Sequence, residues 1–194
     1  AFVFWNHPMW SAQAKDGVAR LSNLHKKFIA DGQLHGIEIV NEGTYSEEAF
    51  NIALENNLAL IGTSDVHNLI EWDYLTKKGE HRPVTLIFAK ERTKDSLREA
   101  LFQRRTAIWF KEILIGKEEN LLPLLNSIIE LESAGYAKGT QILKVVLKNN
   151  SSALIQLKNL SAYTFFDSTN LVNLPGNSEI VIRVKTIKNL DKLE

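Results

Sequence analysis

Five histidines are spread along these 194 residues, and two of them stand beside groups with which they could share chemistry. His7 lies in Asn6-His7-Pro8, directly after an apolar pentad (AFVFW), and Asp65 and His67 lie in Ser64-Asp65-Val66-His67, directly after an apolar run at residues 58–63. Glu38 sits between them in sequence, inside the apolar stretch GIEIV. Imidazole nitrogen and carboxylate oxygen are borderline and hard donors, so a site built from His7, Asp65 and His67 would suit a divalent transition metal ion such as Zn, Mn or Fe. An extended backbone sends residues i and i+2 to the same side, which lets Asp65 and His67 converge. Pro8 biases His7 away from helical geometry and toward the extended end of its strand. Taken singly, each residue has another reading. His7 could be a strand-end histidine bonded to a carbonyl, the Asp-x-His triplet occurs by chance, and Glu38 could be a structural carboxylate that holds a loop. Their order and placement, each after or within an apolar run, favour a shared site.

The elements that must position these residues alternate in type. Strand-like runs at residues 2–5, 36–40 and 58–63 are separated by segments of helical spacing at 23–30 and 47–56. Ser46 is placed to cap the second helix, with Glu47 and Glu48 in its first turn, and Gly32 to terminate the first. Such alternation argues for parallel strands with crossover helices, and it puts His7, Glu38 and the Asp65/His67 pair at or near one end of that sheet. A looser stretch at 68–82 leads to a strand at 84–88, a helix from Thr93 to about residue 104, a strand at 106–110 and a helical segment at 118–131 that must accommodate Pro123. From about residue 141 the pattern changes to short β-rich runs divided by Asn, Ser, Pro and Gly clusters, which reads as a small antiparallel sandwich. The expected organisation is therefore an α/β domain at 1–132, a linker at 133–140 (SAGYAKGT) and a β-sandwich at 141–194.

Composition limits the rest. Lys and Arg total 23 and so do Asp and Glu, so no net charge favours nucleic acid or anionic lipid as a partner, and no apolar run approaches the roughly 20 residues of a membrane span. There is no cysteine, which excludes disulfides, thiolate ligands and a cysteine nucleophile. The cationic side chains of Lys90, Arg92, Lys94, Arg98, Arg104 and Arg105 are interleaved with Asp95 and Glu99 and read as a solvated face.

The stretches NHP, GIEIVN and GTSDVH, in that order, resemble the later motifs of the polymerase and histidinol phosphatase (PHP) superfamily, and VTLIFAKERTKDSLREALFQRRTA is similar to the segment that follows in bacterial members. The resemblance covers roughly residues 1–131. It implies the C-terminal half of a distorted (β/α)7 PHP-type barrel, with the N-terminal half absent, followed by the small antiparallel β-sandwich. It implies that His7, Asp65 and His67 are metal ligands, that Glu38 and Asn6 support the site, and that the activity is metal-dependent hydrolysis of a phosphorylated small molecule. No His-x-His occurs in these residues, whereas PHP enzymes begin with that motif, so the expectation is an incomplete metal cluster and a chain inactive by itself. Arg82 and His81 precede the strand at 84–88 in a loop that could reach the same mouth. Arg82 could hold a phosphate through its planar fork, or the two could be a solvated pair. His25 and His35 fall in a helix and before a strand and read as structural.

Two other classes fit these residues less well. One is a barrel amidohydrolase, since strand-end His and Asp ligands also serve C–N hydrolysis; the other is a non-catalytic scaffold whose β domain mediates binding. Open strand edges imply self-association or association with the missing N-terminal half. The lack of cysteine and the appended sandwich favour an extracytoplasmic over a cytoplasmic location.

Overall fold

The computed structural model describes residues 1–188, so the last residues of the expected sandwich, 189–194, lie outside the described part. The chain divides into two compact units, Ala1–Leu121 and the residues from Leu122 onward. Among the described residues no helix is long and apolar enough to cross a membrane.

The first unit is built around β2 (Gly36–Asn41), whose residues 36–40 are all buried, as befits a parallel strand covered on both faces. On one side β2 pairs in parallel with β1 (Phe4–Trp5), which is reached across α1 (Asn23–Ala30); on the other it pairs in parallel with β4 (Ala59–Thr63). A short strand β3 (Thr44–Tyr45) folds back antiparallel on the end of β2. Ser46 then caps α2 (Glu47–Glu55) by accepting the Ala49 N–H at 3.2 Å. Ala49, Ile52 and Ala53 of α2 pack with Ile37, Ile39 and Val40 of β2, Leu58, and Leu60 of β4 in one apolar core that Ile108 and Phe110 complete. The expected first three strands are thus adjacent and parallel in the order β1-β2-β4.

The remainder of this unit departs from a parallel barrel. After α3 (Ile70–Asp73), the strands β5 (Val84–Ile87), β6 (Thr106–Phe110) and β7 (Ile113–Gly116) form a second sheet, antiparallel throughout, with α4 (Lys94–Phe102) between β5 and β6. β6 and β7 are joined only by Lys111 and Glu112, a connection too short for a parallel crossover. The described strands of this unit therefore form two separate sheets and no closed ring of paired strands. α5 (Glu118–Ile128) follows, with Pro123 inside the helix, well past its first residue.

In the second unit β8 (Ile129–Tyr136) pairs with β9 (Ile142–Asn149), which pairs with β13 (Ser178–Lys185), and β11 (Thr164–Phe165) adds to the far edge of β13. A second, two-stranded sheet joins β10 (Ile155–Lys158) to β12 (Leu171–Leu174), all antiparallel. The core is Leu143, Val145, Leu147 and Leu174. Beside it Asn149, 1% exposed, donates to the carbonyls of Ala153, Leu174 and Pro175 and accepts from Ser151. The linker expected at 133–140 is not one: Ser133 to Tyr136 complete β8, and the next residues make its hairpin turn, where the Thr140 hydroxyl donates to the Ala137 carbonyl. The helix read as continuing to residue 131 stops at Ile128, because Ile129-Glu130-Leu131-Glu132 alternates with the two-residue period of a strand.

Candidate functional site

A bulge in β2 arranges the centre of the site. Glu38 and Asn41 are three apart and in a regular strand would face opposite ways, but the ladder between β2 and β4 shifts register between Glu38 and Val40. That shift brings the Asn41 side chain back to Glu38, with Asn41 Nδ2 3.4 Å from both carboxylate oxygens. Glu38 is 1% exposed, and its oxygens meet donors converging from three directions. The His7 backbone N–H donates to Glu38 Oε2 at 2.6 Å, and the Thr63 hydroxyl at the end of β4 donates to Glu38 Oε1. A carboxyl group buried this deeply requires such hydrogen-bonding partners.

His7 and Asp65 meet over this carboxylate. His7 Nδ1 lies 3.0 Å from Asn41 Nδ2, 3.4 Å from Glu38 Oε2 and 3.8 Å from Asp65 Oδ2, while Asp65 Oδ1 lies 3.6 Å from His67 Nε2. The imidazole of His7 is 25% exposed and that of His67 83% exposed, so one is anchored in the wall and the other stands in solvent. His7 and Asp65 are not extended, as the sequence suggested. They have φ of 51° and 48°, in the left-handed region, and so has Glu42 at 51°. Such conformations cost non-glycine residues about 1–3 kcal/mol each and persist only where the surroundings hold them. At His7 the surroundings include the bond from its own N–H to Glu38 and the turn closed by Trp10 N–H on the His7 carbonyl at 3.0 Å.

These groups line an open cleft of about 600 Å³ bounded by His7, Met9, Trp10, Ser11, Asn41, Glu42, Thr44, Asp65 and His67. Trp10 stands at its edge, 57% exposed, with its ring centre 6.1 Å from that of His7. The structure therefore brings His7, Asp65, His67 and Glu38 together. It does not bring in the other expected residues. Asn6 is exposed, and the contact it makes is through its backbone carbonyl, which accepts from Gln13 Nε2 at 3.4 Å. His81 is bound elsewhere, its ring nitrogens 2.7 Å from the Arg82 carbonyl and 2.8 Å from the Lys111 carbonyl, with its ring against Trp109. Arg82 is exposed and absent from the cleft wall; its charge is felt instead by Tyr74, whose phenol burial pushes up, with Glu42 adding to the rise and Arg82 opposing it. His25 packs against the Trp5 indole, where burial pushes its imidazole down, and His35 stacks on Phe2. Asn41 and Thr63 are the site residues that motif reading missed. Their signal was positional, at the ends of two adjacent buried strands, but the bulge that makes Asn41 useful has no mark in the sequence.

The donor types fit a divalent transition ion, and the number does not close a cage. His7 and His67 approach different oxygens of Asp65, and among the described residues no group of three or more His, Cys, Asp or Glu side chains is arranged to hold a metal ion by itself. What the wall offers is two imidazoles and a carboxylate facing one cleft, backed by the buried hydrogen-bonding groups of Glu38, Asn41 and Thr63.

The fold and site define a mixed α/β unit with a His- and Asp-lined cleft at its strand ends, followed by an immunoglobulin-like β domain. An Ig-like domain family matches residues 129–194, which places β8 inside that domain. Over 98% of its length the chain is similar, at 34% identity and a TM-score of 0.86, to the crystal structure of a two-domain protein from Bacteroides vulgatus containing a predicted PHP-like metal-dependent phosphoesterase. The match covers 55% of that protein, so the chain spans about half its length. A search of curated proteins found no match.

Proposed function

We propose that this chain supplies one wall of the active site of a metal-dependent phosphoesterase acting on a phosphorylated small molecule. The observation that carries the reading is the convergence of His7, Asp65 and His67 on one cleft above a buried, fully hydrogen-bonded Glu38. The likeness to a structure containing a predicted PHP-like phosphoesterase supports it. His7, Asp65 and His67 would hold a divalent Zn, Mn or Fe ion together with donors from outside this set. When bound, that ion would neutralise phosphoryl charge and lower the pKa of a water.

The chain's own residues do the rest. Asp65 faces His67 with one carboxylate oxygen, at 3.6 Å, and His7 with the other, at 3.8 Å, so the carboxylate stands between the two imidazoles. The strained turns at His7 and Asp65 aim both side chains out of the sheet end and into the cleft. Trp10 offers an apolar ring face to the organic part of an ester and shields the His7 side of the cleft from bulk water.

The test is hydrolysis of p-nitrophenyl phosphate and bis(p-nitrophenyl) phosphate by the full-length protein in added Mn²⁺ or Zn²⁺. Asp65→Asn and His67→Ala should each lower turnover by at least about 100-fold and weaken metal binding, since loss of groups around a bound metal costs 10–100-fold even one shell out. Melting should hardly change, because both side chains are solvent-accessible. Wild-type turnover in both variants removes these residues from the reaction. Hydrolysis of amide substrates in place of phosphoesters rejects the reaction class.

A further inference from the structure

The geometry points to Glu38 as the positioning residue of this cleft, a buried carboxylate that sets the rotamer and backbone turn of His7 without itself touching substrate. The proposal rests on the reading of His7 as an ion ligand. Glu38 lies on the bulged part of β2, 1% exposed, and is held from β4 by the Thr63 hydroxyl and from its own strand by Asn41. It grips His7 at two points. Its Oε2 accepts the His7 backbone N–H at 2.6 Å, which fixes the left-handed turn, and the same oxygen lies 3.4 Å from His7 Nδ1, which limits rotation of the ring. Asn41 Nδ2, 3.0 Å from the same ring nitrogen, completes the hold. The carboxylate orients this imidazole from behind, as outer groups orient metal-binding histidines in general.

Glu38→Gln tests this, because it keeps the volume but turns an amide NH₂ toward donors. Zn²⁺ affinity of the full-length protein, measured by titration with the metal alone, should fall about 10- to 100-fold. Turnover of bis(p-nitrophenyl) phosphate should show kcat reduced and KM within about twofold, as expected when an interaction specific to the reacting state is lost. At fixed pH the ¹⁵N signals of the His7 ring, identified through a His7→Gln variant, should move while those of His25, His35 and His81 stay in place. Thr63→Val removes one donor from the carboxylate and should move the His7 signals by a smaller amount, so the proposal remains testable if Glu38→Gln does not fold. His7 ring signals and Zn²⁺ affinity at wild-type values in folded Glu38→Gln, or unmoved His7 signals in Thr63→Val, overturn it. Moved His7 signals in a protein with no phosphoesterase activity would uphold the positioning role and reject only the proposed reaction.

Discussion

Gly62 lies next to Thr63 near the end of β4, the strand that leads to Asp65, and a methyl group there has nowhere to go. A Cβ built on Gly62 falls 2.5 Å from Ile108 Cγ2, where carbon atoms normally rest at about 3.5–4.0 Å. Relief needs a movement of about 1 Å or more. Neither partner is free to make it. Ile108 is 0% exposed and sits in the middle strand of its sheet, paired with Thr85 on one side and Ile115 on the other. Gly62 is clamped by the Thr85 hydroxyl, which accepts its N–H and donates to its carbonyl, both at 2.9 Å. Overpacking of this kind costs about 1–3 kcal/mol, against roughly 0.4–1 kcal/mol regained because alanine restricts the unfolded chain. Gly62→Ala should therefore lose about 1–2 kcal/mol, or roughly 5–10 °C in Tm for a unit of this size.

Tryptophan fluorescence reads that unit alone, since all 4 tryptophans (Trp5, Trp10, Trp72 and Trp109) precede Leu122. The cause can be separated from the effect by a double-mutant cycle with Ile108→Ala, which removes the clashing methyl and by itself costs about 2–5 kcal/mol. The two changes should be less damaging together than their sum by about 1 kcal/mol or more. A Gly62→Ala protein that melts at or above the wild-type temperature refutes the steric argument, as does a cycle additive to within about 0.5 kcal/mol.

Two further measurements probe residues outside the cleft. His81→Ala removes a side chain that bridges the Arg82 and Lys111 carbonyls, so it should lower the stability of the first unit by about 1–2 kcal/mol while Zn²⁺ affinity stays at the wild-type value; lost affinity would return His81 to the site. Asp16 is held at a pKa of about 2, below its ordinary 3.8, chiefly by its hydrogen bonds from Arg20. As pH falls the unfolded chain takes up this proton first, so the contribution is complete above about pH 4 and is lost as the pH drops through about 2. Asp16→Asn should flatten that acid limb of the fluorescence Tm, and an unchanged limb would show that the pair does not report on folding.

The parallel core was legible because its strands are buried on both faces and so appear as unbroken apolar runs, GIEIV and LALIGT, with the capping residue Ser46 between them keeping that role in the structure. The neighbourhood of His7, Asp65 and His67 was legible for the same reason, since strand-end positions follow once parallel strands are assigned. The conformations of those residues were not. Pro8 argues for an extended His7 on local sterics, and the backbone is left-handed instead, because a hydrogen bond to Glu38, 31 residues away in sequence, opposes the local preference. The same limit hid the direction of β5 and β6, which are separated by a helix and still run antiparallel, and the strand β8, whose residues hydrogen-bond to a partner further along the chain.

One edge of β4 pairs with β2, and on its other side the next sheet supplies threonine side chains in place of a regular ladder. The Thr106 hydroxyl accepts the Leu60 N–H at 3.1 Å, and the Thr85 hydroxyl satisfies both the N–H and the carbonyl of Gly62. Buried backbone groups need such partners, and a hydroxyl can both give and accept, so it can join two sheets whose registers do not match. Gly62 belongs to the same junction, because only a residue without a side chain lets Ile108 approach β4 as closely as it does. The junction ends at Thr63, whose hydroxyl is turned inward to Glu38 and so to His7. The second sheet contributes none of the cleft-lining residues, yet two of its threonines satisfy the backbone of the strand that ends at Thr63, next to the carboxylate that accepts from His7.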